Sequence, residues 1–381
     1  MSAVRRVLVV GGGIGGLTAA IAFRRQGIAV DLVELKPHHN VYGVGIIQPN
    51  NTLRALDQIG LADDCVARGG GFPGWKICDQ NGEMLMPAAG ASAASPKHPP
   101  INGITRPIFH EILVGTAVKA GARLTLNLTV AELNNTEDEK EVEVVFSDGR
   151  RDIYDLVIGS DGLYSMVRDL LFPDAPKPQF SGQGVWRYNF ERPAEFDGGA
   201  VFFGSQAKVG LVPMSPTQMY MFVVSAEPGN PRMPPDSLAD LMRARLDGFG
   251  GLVARCRDQI IDPAAVVYKP MEHLLLPAPW MKGRIVLIGD AAHATTPHLA
   301  QGAAMAIEDA VLLGELMARD AAVPTLLEEF MRRRFDRAKY VVDCSRQIAE
   351  WEMEQWAGIE NPQARPGQLL SEATHKLQEA Y

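Results

Sequence analysis

The stretch from Arg6 to Gly16, RVLVVGGGIGG, constrains this chain more than any other. A short apolar run bounded by glycines reads as a buried parallel strand. Ile14 to Gln26 then carries apolar residues at helical spacing and ends at Gly27, a residue suited to the position just past a helix. IAVDLVEL over 28–35 reads as a second strand. Strand, helix and strand in about 30 residues make a βαβ unit with a right-handed crossover. Gly11, Gly13 and Gly16 satisfy the spacing GxGxxG between that strand and helix, with Gly15 beside them. The first glycine permits the tight turn, the second admits a pyrophosphate, and the third lets helix pack on strand. The helix N-terminus offers unpaired N–H groups to phosphate. Glu34 ends the second strand about 20 residues on, where a carboxylate accepts from both ribose hydroxyls of an adenosine.

A second strand, turn and helix recurs far downstream in GRIVLIGDAAHATTPHLAQGAAMAIEDA, residues 283–310. Asp290 falls at the strand end, placed to accept from a ligand hydroxyl, and the turn from Pro297 to Gly302 presents backbone N–H groups to an anion or a polarised carbonyl. NAD alone does not need this second site. FAD does, because its ribityl chain and flavin ring extend beyond the pyrophosphate. Between the two lies DLVIGSDGLYSMVR, with Asp161-Gly162 after a buried strand and Arg168 beyond.

The 381 residues fit two domains, or one large domain with an insert. Hydrophobic content of 46% with 22% charged residues is the profile of a globular chain with a full core. A net charge of −8 argues against a nucleic-acid surface. No apolar run is long enough to cross a membrane, and the N-terminal apolar run goes straight into the glycine turn, so it reads as a strand and not a signal peptide. The scattered Cys65, Cys78, Cys256 and Cys344 read as free thiols of a reducing cytoplasm, with no metal framework.

The pattern predicts an α/β fold: a Rossmann-like FAD-binding domain from 1–174 and 269–381, ending in helices, with a mainly antiparallel sheet domain inserted at 175–268. Residues 50–69 read as helix capped by Asn50 or Asn51, 69–74 as loop, and 88–100 as a mobile surface connection. Residues 105–122 read as a helix with a Pro start, 123–162 as a small antiparallel meander leading into the next strand, and 324–358 as one amphipathic helix or a pair.

GxGxxG with Glu34, then Asp161-Gly162 with Arg168, then Gly289-Asp290 with PHLAQGAAMAIEDA, resembles the single-component FAD-dependent aromatic hydroxylases of the para-hydroxybenzoate hydroxylase type. The match runs in order along nearly the whole chain and includes YGVGIIQPNNTLRALDQIGL, residues 42–61. Alanine at 300, before Gln-Gly, is closest to the salicylate and 6-hydroxynicotinate hydroxylase branch. The resemblance implies bound FAD, NADH or NADPH as cosubstrate, and hydroxylation of an aromatic or N-heteroaromatic ring by O2 through a flavin C4a-hydroperoxide. Gly11, Gly13, Gly15 and Gly16 would cradle the pyrophosphate, and Glu34 would hold the ribose. Arg106 resembles the family arginine on the FAD chain. Asp161 and Gly162 would serve both FAD and the nicotinamide, and Asp290 the ribityl or ribose hydroxyls. Pro297, Ala300, Gly302 and Ala303 would border the flavin ring on one side, and Val44 and Gly45 on the other, with Gln48 further off.

For a proton-handling or ring-orienting residue the candidates are Tyr220, His298 and Pro297 in its turn, with His273 and Tyr188 behind them; His293 reads as steadying the turn. Arg187, Phe203, Leu211, Val212 and Tyr220 are the candidate substrate contacts, with Phe202 and Met221 on the same strands. Alternation allows only half of each strand to face a pocket, and the sequence leaves open which half. The branch's tyrosine on KVGLVPM has no counterpart, since Leu211, Val212 and Pro213 stand there. An isoprenoid or polyene epoxidase, a quinone-precursor hydroxylase and a non-oxygenating flavoprotein remain alternative readings. The expected partners are a small aromatic substrate and O2, with no nucleic acid and no membrane, in a monomer or homodimer.

Overall fold

The computed structural model describes residues 4–38 and 43–381. Strand Arg6–Val10 lies between Leu156–Gly159 and Ala29–Glu34, parallel to both. Arg123–Leu126 extends the sheet in parallel beyond Ala29–Glu34, and Ile285–Leu287 does so beyond Leu156–Gly159. These central strands are covered on both faces and read as unbroken apolar runs for that reason. Helix Ile14–Arg25 packs on this sheet, and helices Arg106–Lys119 and Gly302–Met317 pack against that helix. Residues 123–126 therefore belong to the parallel sheet, while the expected meander is the antiparallel set Val130–Asn135, Val142–Phe146 and Arg151–Tyr154. Tyr42, in the family-like stretch 42–61, lies outside the described residues.

The second layer is a seven-stranded sheet among the described residues: Val267–His273, Gln179–Glu191, Gln218–Ala226, Ala207–Pro213, Gly199–Phe203, Gly74–Asp79 and Met84–Ala89. Its last two strands come from outside the expected insert 175–268. Gly74–Asp79 pairs in parallel with Gly199–Phe203, a long-range partnership that local pattern does not encode. Between the two large sheets sits a small one, with Ile101–Thr105 flanked by Gly45–Pro49 and Gly70–Phe72, so part of the expected loop 69–74 is strand. Side-chain-free Gly103 lets the seven-stranded sheet close onto it: a Cβ there would lie 1.9 Å from the Pro213 carbonyl oxygen.

Two further expectations change. Neither Asn50 nor Asn51 caps helix Asn50–Gln58. Asn50 donates to the Ser95 and Pro99 carbonyls and accepts from the Ser95 amide, which pins the stretch expected to be mobile. The C-terminal amphipathic segment is one continuous helix, Val323–Trp356.

Candidate cofactor and substrate site

At the first glycine turn Gly11 has φ +109°, and its amide donates to the Val33 carbonyl at 2.8 Å. Helix Ile14–Arg25 starts at Gly13 with no side-chain cap and no acid in its first turn, so its leading N–H groups are left for an anion. A Cβ on Gly13 would meet nothing within 4 Å, whereas one on Gly16 would fall 1.9 Å from the Gly11 carbonyl oxygen. Gly15 packs on Ser160 and Ala306. Glu34 is fixed at its strand end by accepting from the Gly12 amide at 2.7 Å and the Lys36 amide at 2.9 Å. These features fit the adenosine diphosphate half of FAD.

The second turn is built for rigidity. Asp309 accepts from the Gly289 amide at 3.0 Å, the His293 ring at 2.6 Å and Arg334 at 2.6 Å. Burial works against the Asp309 charge, but His293 and Arg334 outweigh it and hold its pKa at about 2. His293 thus steadies the turn, as expected. Gln301 exchanges hydrogen bonds with Asn51 at 3.0 and 3.1 Å, and Asn51 also donates to buried Glu308. Ala300 sits at φ +54°, a left-handed conformation that glycine adopts more easily. Helix Gly302–Met317 begins without a side-chain cap or an acid in its first turn, with Gly302 and Ala303 partly open. Asp290 opens into the cleft, and enough protein surrounds its carboxyl that burial raises its pKa.

Across the cleft, Arg106, Arg187, Tyr220 and Asp290 come together. Thr105 caps the helix that starts at Arg106, and the Arg106 amide donates to the Val44 carbonyl at 2.9 Å. Among the described residues neither the Arg106 nor the Arg187 guanidinium has a hydrogen-bond or ion-pair partner. Burial, and then the like charge of Arg106, push the Arg187 pKa down to about 10. Burial pushes the Tyr220 hydroxyl up to about 12, although both arginines oppose the shift. The Tyr220 ring packs directly on Gly45.

Strand register decides which side chains face this cleft. Tyr220 stands opposite Val212 and Asn189, and Phe222 opposite Gly210 and Arg187, on the front of the sheet. Leu211, opposite Met221, points the other way and is sealed with Phe202 and Tyr188 against helices Leu238–Arg245 and Gly251–Arg257. The assignments of Leu211, Phe202 and Met221 to the substrate face are therefore corrected: period-two alternation places them in the opposite core. Arg187, Val212, Tyr220 and Phe203 are on the front, Phe203 near the open edge at 45% exposure.

Three other assignments look different in the structure. Both Asp161 oxygens serve the helix Met166–Leu171, accepting from the Ser165 hydroxyl at 2.5 Å and the Val167 amide at 3.0 Å, and Gly162 supplies the positive φ of that turn. Both His298 nitrogens are engaged, with the Thr296 hydroxyl at 2.9 Å and Glu352 at 3.2 Å, and its side chain is 1% exposed. That leaves no ring nitrogen for a substrate proton, so His298 braces the turn in which Pro297 is exposed. His273 neighbours Arg346 and Glu350 of the long helix. Sequence reasoning missed Glu352, which joins His298, Lys208 and Gln183 across three elements. A lone acid on an amphipathic helix carries no local mark of such a role.

A family profile described as FAD binding domain matches residues 5–345. The chain is 32% identical to the aurachin C monooxygenase/isomerase of Stigmatella aurantiaca, over 91% of this chain and 90% of that protein. It is also 32% identical to the 2-heptyl-3-hydroxy-4(1H)-quinolone synthase of Pseudomonas aeruginosa, over the same shares. Among solved structures, Klebsiella pneumoniae HpxO complexed with FAD and uric acid superimposes with a TM-score of 0.84 at 23% identity, over 98% of this chain and 96% of that one, which establishes the shared fold.

Proposed function

From the premise that this chain belongs to the FAD binding domain family and is an FAD-dependent monooxygenase of the aromatic-hydroxylase type, we propose that it hydroxylates an N-heteroaromatic or aromatic ring bearing an ionisable oxygen, with NADH or NADPH as reductant. One ring C–H becomes C–OH, the second oxygen of O2 leaves as water, and the nicotinamide is oxidised. The observation that carries this reading is the unpartnered Arg187 guanidinium beside Tyr220 on the front of the sheet. An unpaired cation in a half-buried position calls for an anion, and a ring oxyanion supplies one. The two relatives whose names specify aurachin and a quinolone support a fused N-heterocycle.

Bound FAD supplies the redox chemistry with O2. The glycine turn at Gly11–Gly16 and Glu34 would hold its adenosine end, and Asp290, Arg106 and the 299–303 amides would hold the rest. Tyr220 presents its ring and hydroxyl to the substrate. With its pKa raised, it acts as a hydrogen-bond donor and not as a base at neutral pH. Arg187 holds the ring oxygen as the anion, which raises the electron density of the ring. Val212 and Phe222 exclude water from it.

The test is anaerobic reduction of the FAD-loaded protein by NADH and by NADPH, with and without phenolic acids, hydroxypyridines and hydroxyquinolines. Strong acceleration by a hydroxyquinoline or hydroxypyridine, followed by one added oxygen in an aerobic run, supports the reading. Equal, slow reduction with every compound overturns it.

A further inference from the structure

We infer that the site continues along the front of the seven-stranded sheet as an apolar strip that takes a hydrocarbon tail carried by the substrate ring. This rests on the reading above that the ring lies at Arg187 and Tyr220.

Register carries the argument. Arg187 pairs with Phe222, Phe222 with Gly210, Gly210 with Val201, Val201 with Ile77, and Ile77 with Met86. One cross-strand row thus runs from the unpaired cation to the sheet edge with no other charged side chain in it. At about 4.8 Å per strand, Phe222 to Met86 spans about 19 Å. Gly210 makes the row smooth. A Cβ there would lie 2.1 Å from the Phe222 ring, so the ring lies across the glycine, along the row.

Burial changes along the row in the direction a tail requires. Phe222, Val201 and Ile77 are half-buried, and Met86 is 58% exposed. The back of the same strands is sealed against two helices, so this partial exposure belongs to the front face alone. At the inner end Phe222 packs against two buried clusters, one containing Val224, Met271 and Trp356 and the other containing Val212 and Tyr220. The open end carries Met84 and Leu85 beside Met86, all more than half exposed, on a strand without a charged residue. Continuity with Arg187 and Tyr220 selects the occupant. A second copy of this chain would meet only the outer strand, whereas a tail on the bound ring passes along the row.

The test is titration of the FAD-loaded protein with 4-hydroxyquinolines and hydroxypyridines bearing methyl, pentyl or heptyl chains, followed by flavin absorbance. Each added methylene is expected to tighten binding about two- to fourfold. In Val201→Asn, and independently in the half-exposed Ile77→Ser, the heptyl-to-methyl affinity ratio is expected to fall about tenfold or more. Methyl and heptyl probes binding equally well would overturn the tail strip and leave the ring-binding reading intact. Failure of every probe to bind would overturn that reading as well. Loss of self-association in Met86→Asp, with no chain-length dependence, would give the strip to a second copy and overturn the tail.

Discussion

The Tyr220 ring lies against the α-carbon of Gly45, so closely that a Cβ at position 45 would fall 2.1 Å from the ring carbon Cδ1. This contact joins the seven-stranded sheet to the small sheet that carries strand Gly45–Pro49. Gly45→Ala is therefore expected to destabilise the protein by about 1–3 kcal/mol through overpacking. In a Tyr220→Ala background the same Gly45→Ala change is expected to cost clearly less in urea unfolding than it does in the wild type. An equal cost in both backgrounds would mean that the clash does not set it.

The glycine turn separates cofactor loss from misfolding. Position 13 has open space where position 16 has a carbonyl oxygen. Gly13→Ala is expected to keep its far-ultraviolet dichroism and melting behaviour as apoprotein, yet to retain little FAD on gel filtration, because the methyl occupies the pyrophosphate's approach. Gly16→Ala is expected to lose the fold itself.

Among the described residues Arg187 is held without a counter-charge, a cost that a ligand would offset. Arg187→Met is expected to melt at or above the wild-type temperature, with a gain on the order of 1 kcal/mol. The same variant is expected to lose most substrate acceleration of flavin reduction. A clear drop in stability with acceleration intact would instead make Arg187 a structural residue.

Acid is expected to loosen the turn at 296–301 through His298. Burial lowers its pKa below 6.5, although Glu352 partly offsets the effect. The unfolded chain then binds the proton first, so this stability is complete above pH 6.5 and is lost as pH falls through the lower folded value. His273, lowered mainly by burial, contributes in the same window. Burial opposes the Glu352 charge, but Lys208 and His298 outweigh it and bring its pKa to about 2, which extends the loss below pH 4.5. Melting temperatures of His298→Gln between pH 7 and 5 are expected to fall less steeply than those of the wild type. Parallel curves would remove His298 from the account.

Local pattern was informative where neighbouring residues do the work. The turn at Gly11–Gly16, the acid at Glu34 and the helix after Thr105 are each specified within a few residues by backbone sterics, capping and strand length. Leu211 and Val212 show where that stops. Both are apolar and fully buried, and only pairing with Met221 and Tyr220 shows that one faces a helix layer and the other the cleft. His298 likewise reads as a free base until Glu352, on a distant helix, occupies its ring nitrogen.

By itself, then, the sequence determined the glycine turn and the second strand, turn and helix, which rest on short-range geometry that few residue combinations satisfy. The FAD-dependent aromatic-hydroxylase class followed from the resemblance that these motifs carry in order along the chain. Tertiary structure alone decided which face of the inserted sheet meets the cleft, which strands complete it, and which charges remain unpaired. Strand register is set by pairing between strands, and Glu352 draws its partners from 54, 144 and 169 residues away, beyond the reach of local pattern. Gln183, Lys208 and His298 meet at Glu352 only after the two sheets and the long helix have closed on one another.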